Sequence, residues 1–252
     1  MFADVTSANI VGYQNNDWLG GDFYMMGMQF EKVDGTPVKL SEINFGDMTG
    51  PYYDDQGDFV RTAPQIQISM ADSEGFHPTF YFLADGAPDF TNPGWTDGLG
   101  NPIDDSIVVD AGIGFWFRDG AGSSGFNPAG QVMPDSPFVK PLDTHFRQLV
   151  CPFPKAVTLA DIDFGEIAKT APFYDDNGDF VNTATQIQVP LDKSAGTHPT
   201  YYFLADGDED FTNPGWTDGL GNPIDESTIV LPAGRGCWFK ANANINVTFT
   251  LK

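Results

Sequence analysis

Asp54, Gln56 and Asp58 stand at alternate positions in YDDQGDF, and Asp175, Asn177 and Asp179 repeat that spacing in YDDNGDF. Alternating oxygen side chains around a tight turn are how short loops wrap Ca2+, a hard cation that takes carboxylate and amide oxygens. The same letters also read as hairpin turns, because Asn177-Gly178 is a strong two-residue hairpin signal and Asp is a habitual turn residue. Neither copy has the sixth-position Gly or the closing Glu of an EF-hand, so both readings stay open.

A second oxygen-rich stretch, FTNPGWTDGLGNPID, occurs twice without a substitution, at residues 90–104 and 211–225. It supplies further candidate Ca2+ ligands, Asp97, Asn101 and Asp104 in one copy and Asp218, Asn222 and Asp225 in the other. Each copy also holds one large aromatic, Trp95 or Trp216. A Trp on a polar loop either stacks on a sugar face while Asp and Asn take hydroxyls, or folds back as a plug over the open end of a sandwich. Letter-for-letter identity implies several simultaneous constraints, such as Gly at positive φ, a buried Trp and liganded Asp; recent duplication would leave the same identity. The run ADGDEDF has only ADGAPDF as its counterpart and reads as a solvated acidic loop.

Histidine is scarce: His77 and His198 each precede Pro-Thr, and His145 stands alone. One imidazole per copy does not make a zinc site, and no Ser or Cys lies in a nucleophile motif. Two carboxylates suffice for glycoside hydrolysis, but nearly every acid here lies at a turn, and the expectation is a protein that is not an enzyme.

The elements that carry these residues repeat along the chain. GPYYDDQGDFVRTAPQIQIS matches APFYDDNGDFVNTATQIQVP, and HPTFYFLADG matches HPTYYFLADG. VKLSEINFGD matches VTLADIDFGE, FYMMGMQF matches FRQLVCPF, and AGIGFWF matches AGRGCWF. This register implies a tandem duplication with domains at 1–130 and 131–252, joined through the Gly-, Ser- and Pro-rich stretch 119–137. QIQIS and QIQVP alternate with period two, while TFYFLA, TYYFLA, GFWF and INVTFTL are β-branched or aromatic runs bounded by turn residues. The expected fold is all-β: two tandem β-sandwich domains, Ig-like or jelly-roll-like.

Of 252 residues, 41% are apolar, enough to fill a core, and 35 acids against 12 Lys and Arg leave a net charge of −23. Such a surface repels nucleic acid and anionic lipid and favours divalent cations. No apolar run has the length of a membrane span, so no membrane insertion is expected. The opening MFADVTSANIVGY lacks a basic end and an apolar stretch. An acidic, Lys-poor, β-rich chain with two Cys fits an extracellular or cell-surface protein whose signal peptide has been removed.

An opening strand like SANIVGY, Tyr/Phe-rich middle strands with a Gly-Trp turn, and a closing strand of the form Ala-Gly-x-Gly-x-Trp-Phe resemble exported β-sandwich tandem-repeat proteins of environmental bacteria. Some proteins of that look are subunits of extracellular pilus-like fibrils. The resemblance implies a secreted, self-assembling protein and transfers no catalytic residue; Cys237 departs from the Phe of the closing strand. The resulting expectation is a structural subunit of a filament or surface assembly, a homo-oligomer or helical fibril associating through terminal β-strands and stabilised by Ca2+. The alternative is a secreted carbohydrate-binding protein that holds glycans with Trp95 and Trp216.

Cys151 takes the place of Met28 and Cys237 that of Phe115, so both occupy core positions of the same copy. Early and late strands meet in a sandwich, which allows a disulfide between them; two buried free thiols acting as small apolar side chains are the other reading.

Overall fold

The computed structural model describes residues 11–13, 16–17, 23–46, 48, 57–68, 77–83, 94–103, 107–109, 111–120, 125–132, 137–165, 179–189, 198–204 and 215–250. The chain is all-β, and among the described residues the named strands pair antiparallel throughout, with one isolated parallel bridge between Met28 and Ala111. Among the described residues the helical segments are single 3-10 turns at Leu40–Glu42, Leu159–Asp161 and Glu226–Thr228.

Two five-stranded sheets dominate. The first runs Phe23–Gly27, Gly114–Arg118, Gln65–Ile68, Thr79–Leu83, Gly94–Thr96 across the sheet. The second runs Phe146–Val150, Gly236–Lys240, Thr185–Gln188, Thr200–Leu204, Gly215–Thr217. Matching residues keep matching partners: Ile66 lies opposite Phe117 and Phe80, and Ile187 opposite Phe239 and Tyr201. The alternation of QIQI works as its period requires, since Ile66 and Ile68 are fully buried. The flanking Gln65 and Gln186 turn back instead, each donating its amide N–H to the carbonyl of Val60 or Val181 at 3.1 Å.

Each large sheet is covered by a three-stranded one: Val11–Tyr13, Ala129–Val132, Phe30–Glu31 in the first half, and Phe138–Leu142, Ile245–Phe249, Ile162–Asp163 in the second. The cores between them are separate. One gathers Phe30, Phe45, Ile66, Phe115, Phe117 and Trp95; the other gathers Phe164, Ile187, Phe203, Trp216, Phe239 and Phe249. Phe45 stacks on Phe117 at 5.0 Å, and Phe164 stacks on Phe239 at the same 5.0 Å. Burying a side chain of this size contributes roughly 1.5–3 kcal/mol.

The C-terminal strand Ile245–Phe249 differs from the expectation of an adhesive chain end. It pairs with Phe138–Leu142 on one side and Ile162–Asp163 on the other, so both its backbone edges are used.

Candidate functional site

The described part of the repeated loop, 94–103 and 215–225, runs from the core to the surface. Trp95 closes the sheet as the partner of Phe82, is 8% exposed, and meets Phe45 and Phe82 edge-on at 5.3 and 5.6 Å. Trp216 is 3% exposed and meets Phe164 and Phe203 at 5.1 and 5.5 Å. Rings enclosed in this way present no face to a sugar. The next residues, Thr96 and Thr217, are also buried and donate their hydroxyls to the carbonyls of Tyr81 and Tyr202 at 3.1 Å.

Asp97 then staples the turn. Its carboxylate accepts the backbone N–H of Leu99 (2.8 Å) and Asn101 (2.9 Å) and the Asn101 side-chain amide (2.9 Å). Asp218 does the same with Leu220 (2.8 Å), Asn222 (2.9 Å) and the Asn222 amide (3.0 Å). These bonds, led by those from the Asn side chains, hold both carboxyls below their ordinary pKa. Gly100 and Gly221 close the turn at φ of 82° and 81°, where only Gly is unstrained. The tips leave Leu99 and Leu220 each 86% exposed. Asp225 caps the following 3-10 turn, accepting Ser227 N–H at 3.0 Å and its hydroxyl at 2.6 Å. Its counterpart Asp104 lies outside the described residues.

The other proposed calcium loops are described only at their ends. Asp58 and Asp179 each accept the N–H two residues on, from Val60 and Val181, at 2.9 Å. Asp54, Gln56, Asp175 and Asn177 lie outside the described residues. Among the described residues no three His, Cys, Asp or Glu gather as a metal cage would need.

The two large sheets meet along their Phe23–Gly27 and Phe146–Val150 sides, and the contacts come in matched pairs. Met26 bridges Arg235, and the aligned Leu149 bridges Ile113. Gly27 N–H donates to Gly234 O at 3.2 Å, and Val150 N–H donates to Gly112 O at 3.3 Å. His77 lies edge-on to Trp238, centroids 4.9 Å apart, and His198 faces Trp116 at 6.0 Å. A Cβ on Gly236 would fall 2.6 Å from Met25 Cγ, and one on Gly114 would fall 3.0 Å from Gln148. The halves are therefore related by a pseudo-twofold axis, and the second Gly of Ala-Gly-x-Gly-x-Trp-Phe is needed for their close approach. The first Gly, at φ of 79° in Gly112 and 67° in Gly234, aims the carbonyl that receives the opposite half.

Gln148 adds side-chain bonds across this face. With its amide assigned from its surroundings, it donates to the carbonyls of Gly114 (3.0 Å) and Gln67 (3.3 Å) and accepts from Trp116 Nε1 at 3.2 Å. Burial, and then the charge of Arg147, pull the His77 pKa down, so the ring is neutral. Nδ1 of both His77 and His198 is buried without a hydrogen-bond partner.

Beside the axis lies a cleft of about 530 Å3 whose polar walls are Lys140, Asp143, Arg147, Gln148, Asn244 and Asn246. Arg147 grips Asp143 through two N–H donors, Nε at 3.0 Å, and holds its carboxyl at about 2. A carboxylate so committed does not act as a base at neutral pH.

Cys151 and Cys237 are free thiols in one core, the arrangement of the second of the two readings. The Cys151 S–H is turned to the Lys155 carbonyl at 3.3 Å. Burial pushes the Cys151 pKa up to about 11, and burial together with neighbouring Cys151 raises that of Cys237, so neither is a ready nucleophile.

Sequence reasoning missed the face between the halves. The available signals were the repeated Gly-x-Gly, the equivalent His residues, and the exchange of Gly27 for Val150 between FYMMGMQF and FRQLVCPF. Among the described residues no helix is long and apolar enough to cross a membrane. No protein-family profile, characterised protein or solved structure matches the chain.

Proposed function

We propose that the chain is a non-enzymatic structural subunit, two tandem β-sandwich units derived by internal duplication, that associates with copies of itself into an extracellular filament or surface assembly. The observation that carries this reading is the duplicated tip. One subunit holds two stapled, identical turns in its two halves, each with a Leu 86% exposed, so it is bivalent for whatever contact those tips make. The engagement of the described Asp side chains in their own turns, and the enclosure of Trp95 and Trp216, favour structural roles over catalytic or glycan-binding ones. The resemblance to fibril subunits points the same way. Of the terminal strands, Val11–Tyr13 is an edge strand among the described residues, paired there with Ala129–Val132 alone, and is the edge proposed to meet a neighbour. Ca2+ stabilises the subunit at the YDDQGDF and YDDNGDF segments.

Sedimentation velocity from nanomolar to tens of micromolar protein, with Ca2+ and with chelator, tests this. The expected result is a concentration-dependent shift to large species, weakened by Leu99→Asp with Leu220→Asp. A single monomeric species under every condition would overturn the reading.

A further inference from the structure

We infer that copies of this chain join through the face that joins the halves within one chain, the first half of one copy docking on the second half of the next. This inference rests on the self-assembly reading above and adds a further contact to the loop tips and the Val11–Tyr13 edge. Both docking surfaces are present on every chain, and each half keeps a core with no residue shared with the other. The first half ends in the strand Ala129–Val132 and the second begins at Phe138–Leu142, so residues 133–137 are the covalent tie between them. Nothing in the contacts themselves requires that the two partners belong to one chain, which is the condition for exchange of halves between copies.

The face also selects which halves meet. Near the axis, Gly27 opposes Val150 so closely that a Cβ on Gly27 would lie 2.5 Å from Val150 Cβ. Two second halves would bring Val150 against Val150 in that space. Two first halves would leave Gly27 facing Gly27 and a void. Only first with second fits, and Gln148 is already satisfied by Gly114, Gln67 and Trp116 of a first half. A chain whose halves have parted thus offers one free face of each kind, so copies join head to tail, either closing as a reciprocally exchanged dimer or continuing as a longer chain. Docking within one chain is favoured in dilute solution by its high effective concentration, so exchange belongs to concentrated protein.

Met26 and Arg235 are directly opposed, a spacing suited to a disulfide, so Met26→Cys with Arg235→Cys reports which chains dock. The pair is placed in a full-length background in which Cys151 and Cys237 are replaced by Ala, and Ile113→Cys with Leu149→Cys provides a second, independent reporter. Oxidised with diamide while dilute, each variant is expected to give an internally bridged monomer on a non-reducing denaturing gel. Oxidised after assembly, each is expected to give covalently joined chains, dimers where exchange closes and a ladder where it continues. Assembled material that yields only internally bridged monomers from both pairs overturns the inference while leaving self-assembly standing. So does failure of both pairs to bridge at all. Absence of any assembly by the wild-type chain would overturn the self-assembly reading, and this inference with it.

Discussion

Gly27→Ala is the sharpest probe of the face between the halves. The new Cβ would lie 2.5 Å from Val150 Cβ and 2.6 Å from the Ile113 carbonyl oxygen. That is roughly 1 Å inside ordinary contact, and overpacking of this kind costs about 1–3 kcal/mol. Because one neighbour is a backbone carbonyl that cannot rotate away, the upper end, about 3 kcal/mol, is expected, with a fall in Tm of roughly 6–12 °C. Val150→Gly alone is also destabilising, since it strips a fully buried side chain from the same contact. In the double variant the space vacated by Val150 receives the new methyl, so the combined loss should be smaller than the sum by about 1–2 kcal/mol. Urea denaturation of all four proteins, followed by Trp fluorescence, measures that coupling. Additivity within about 0.5 kcal/mol would refute the opposition of Gly27 and Val150 and with it the pseudo-twofold contact.

Trp95→Ala and Trp216→Ala are each expected to cost roughly 3–5 kcal/mol by leaving a core cavity, read as a lowered Tm; an unchanged Tm with lost glycan retention would restore the sugar-binding reading. Two pH effects have definite signs. The Asp143 carboxyl titrates near 2, below its ordinary 3.8, so its contribution to stability is complete above about pH 4 and lost as pH falls towards 2; Asp143→Asn should remove that part of the acid unfolding curve. His77 titrates below its ordinary 6.5, so the unfolded chain binds the proton first and stability falls as pH drops below about 7; His77→Gln should flatten the curve there, and an unaltered curve would contradict its burial against Trp238. Ca2+ is expected to raise Tm through the YDDQGDF and YDDNGDF segments that end at Asp58 and Asp179, and Asp97→Asn with Asp218→Asn should leave that increment intact, whereas its loss would place the ion at the Leu99 and Leu220 tips. Denatured, unreduced protein should alkylate at both Cys151 and Cys237; an intact mass lower by about 2 Da with no reaction would show a bridge.

The repeated letters carried the β character and the strand positions, because alternation in QIQI and aromatic runs such as TFYFL report burial directly. The invariant loop was legible as a set of constraints but not as a site. Asp at a turn offers the same oxygens to a backbone N–H as to Ca2+, so Asp97 with Leu99 and Asn101 looks identical in both cases until the hydrogen bonds are known. Trp95 likewise reads as a plate or a plug until Phe45 is found against it. The docking face was least visible, because the need for Gly at Gly114 and Gly236 arises from residues far away in the chain, Gln148 and Met25. The core position of both Cys was legible, but a bridge and two buried thiols were equally open readings, since the direction of a side chain such as the Cys151 S–H towards Lys155 O is not written in its spacing.

The central claim, that this chain builds an assembly of its own copies, is tested most directly by electron microscopy of the full-length protein at micromolar concentration in the presence of Ca2+. Filaments or ordered sheets with a repeat set by the two-unit subunit are the predicted result. A field of strictly monodisperse monomers would contradict it.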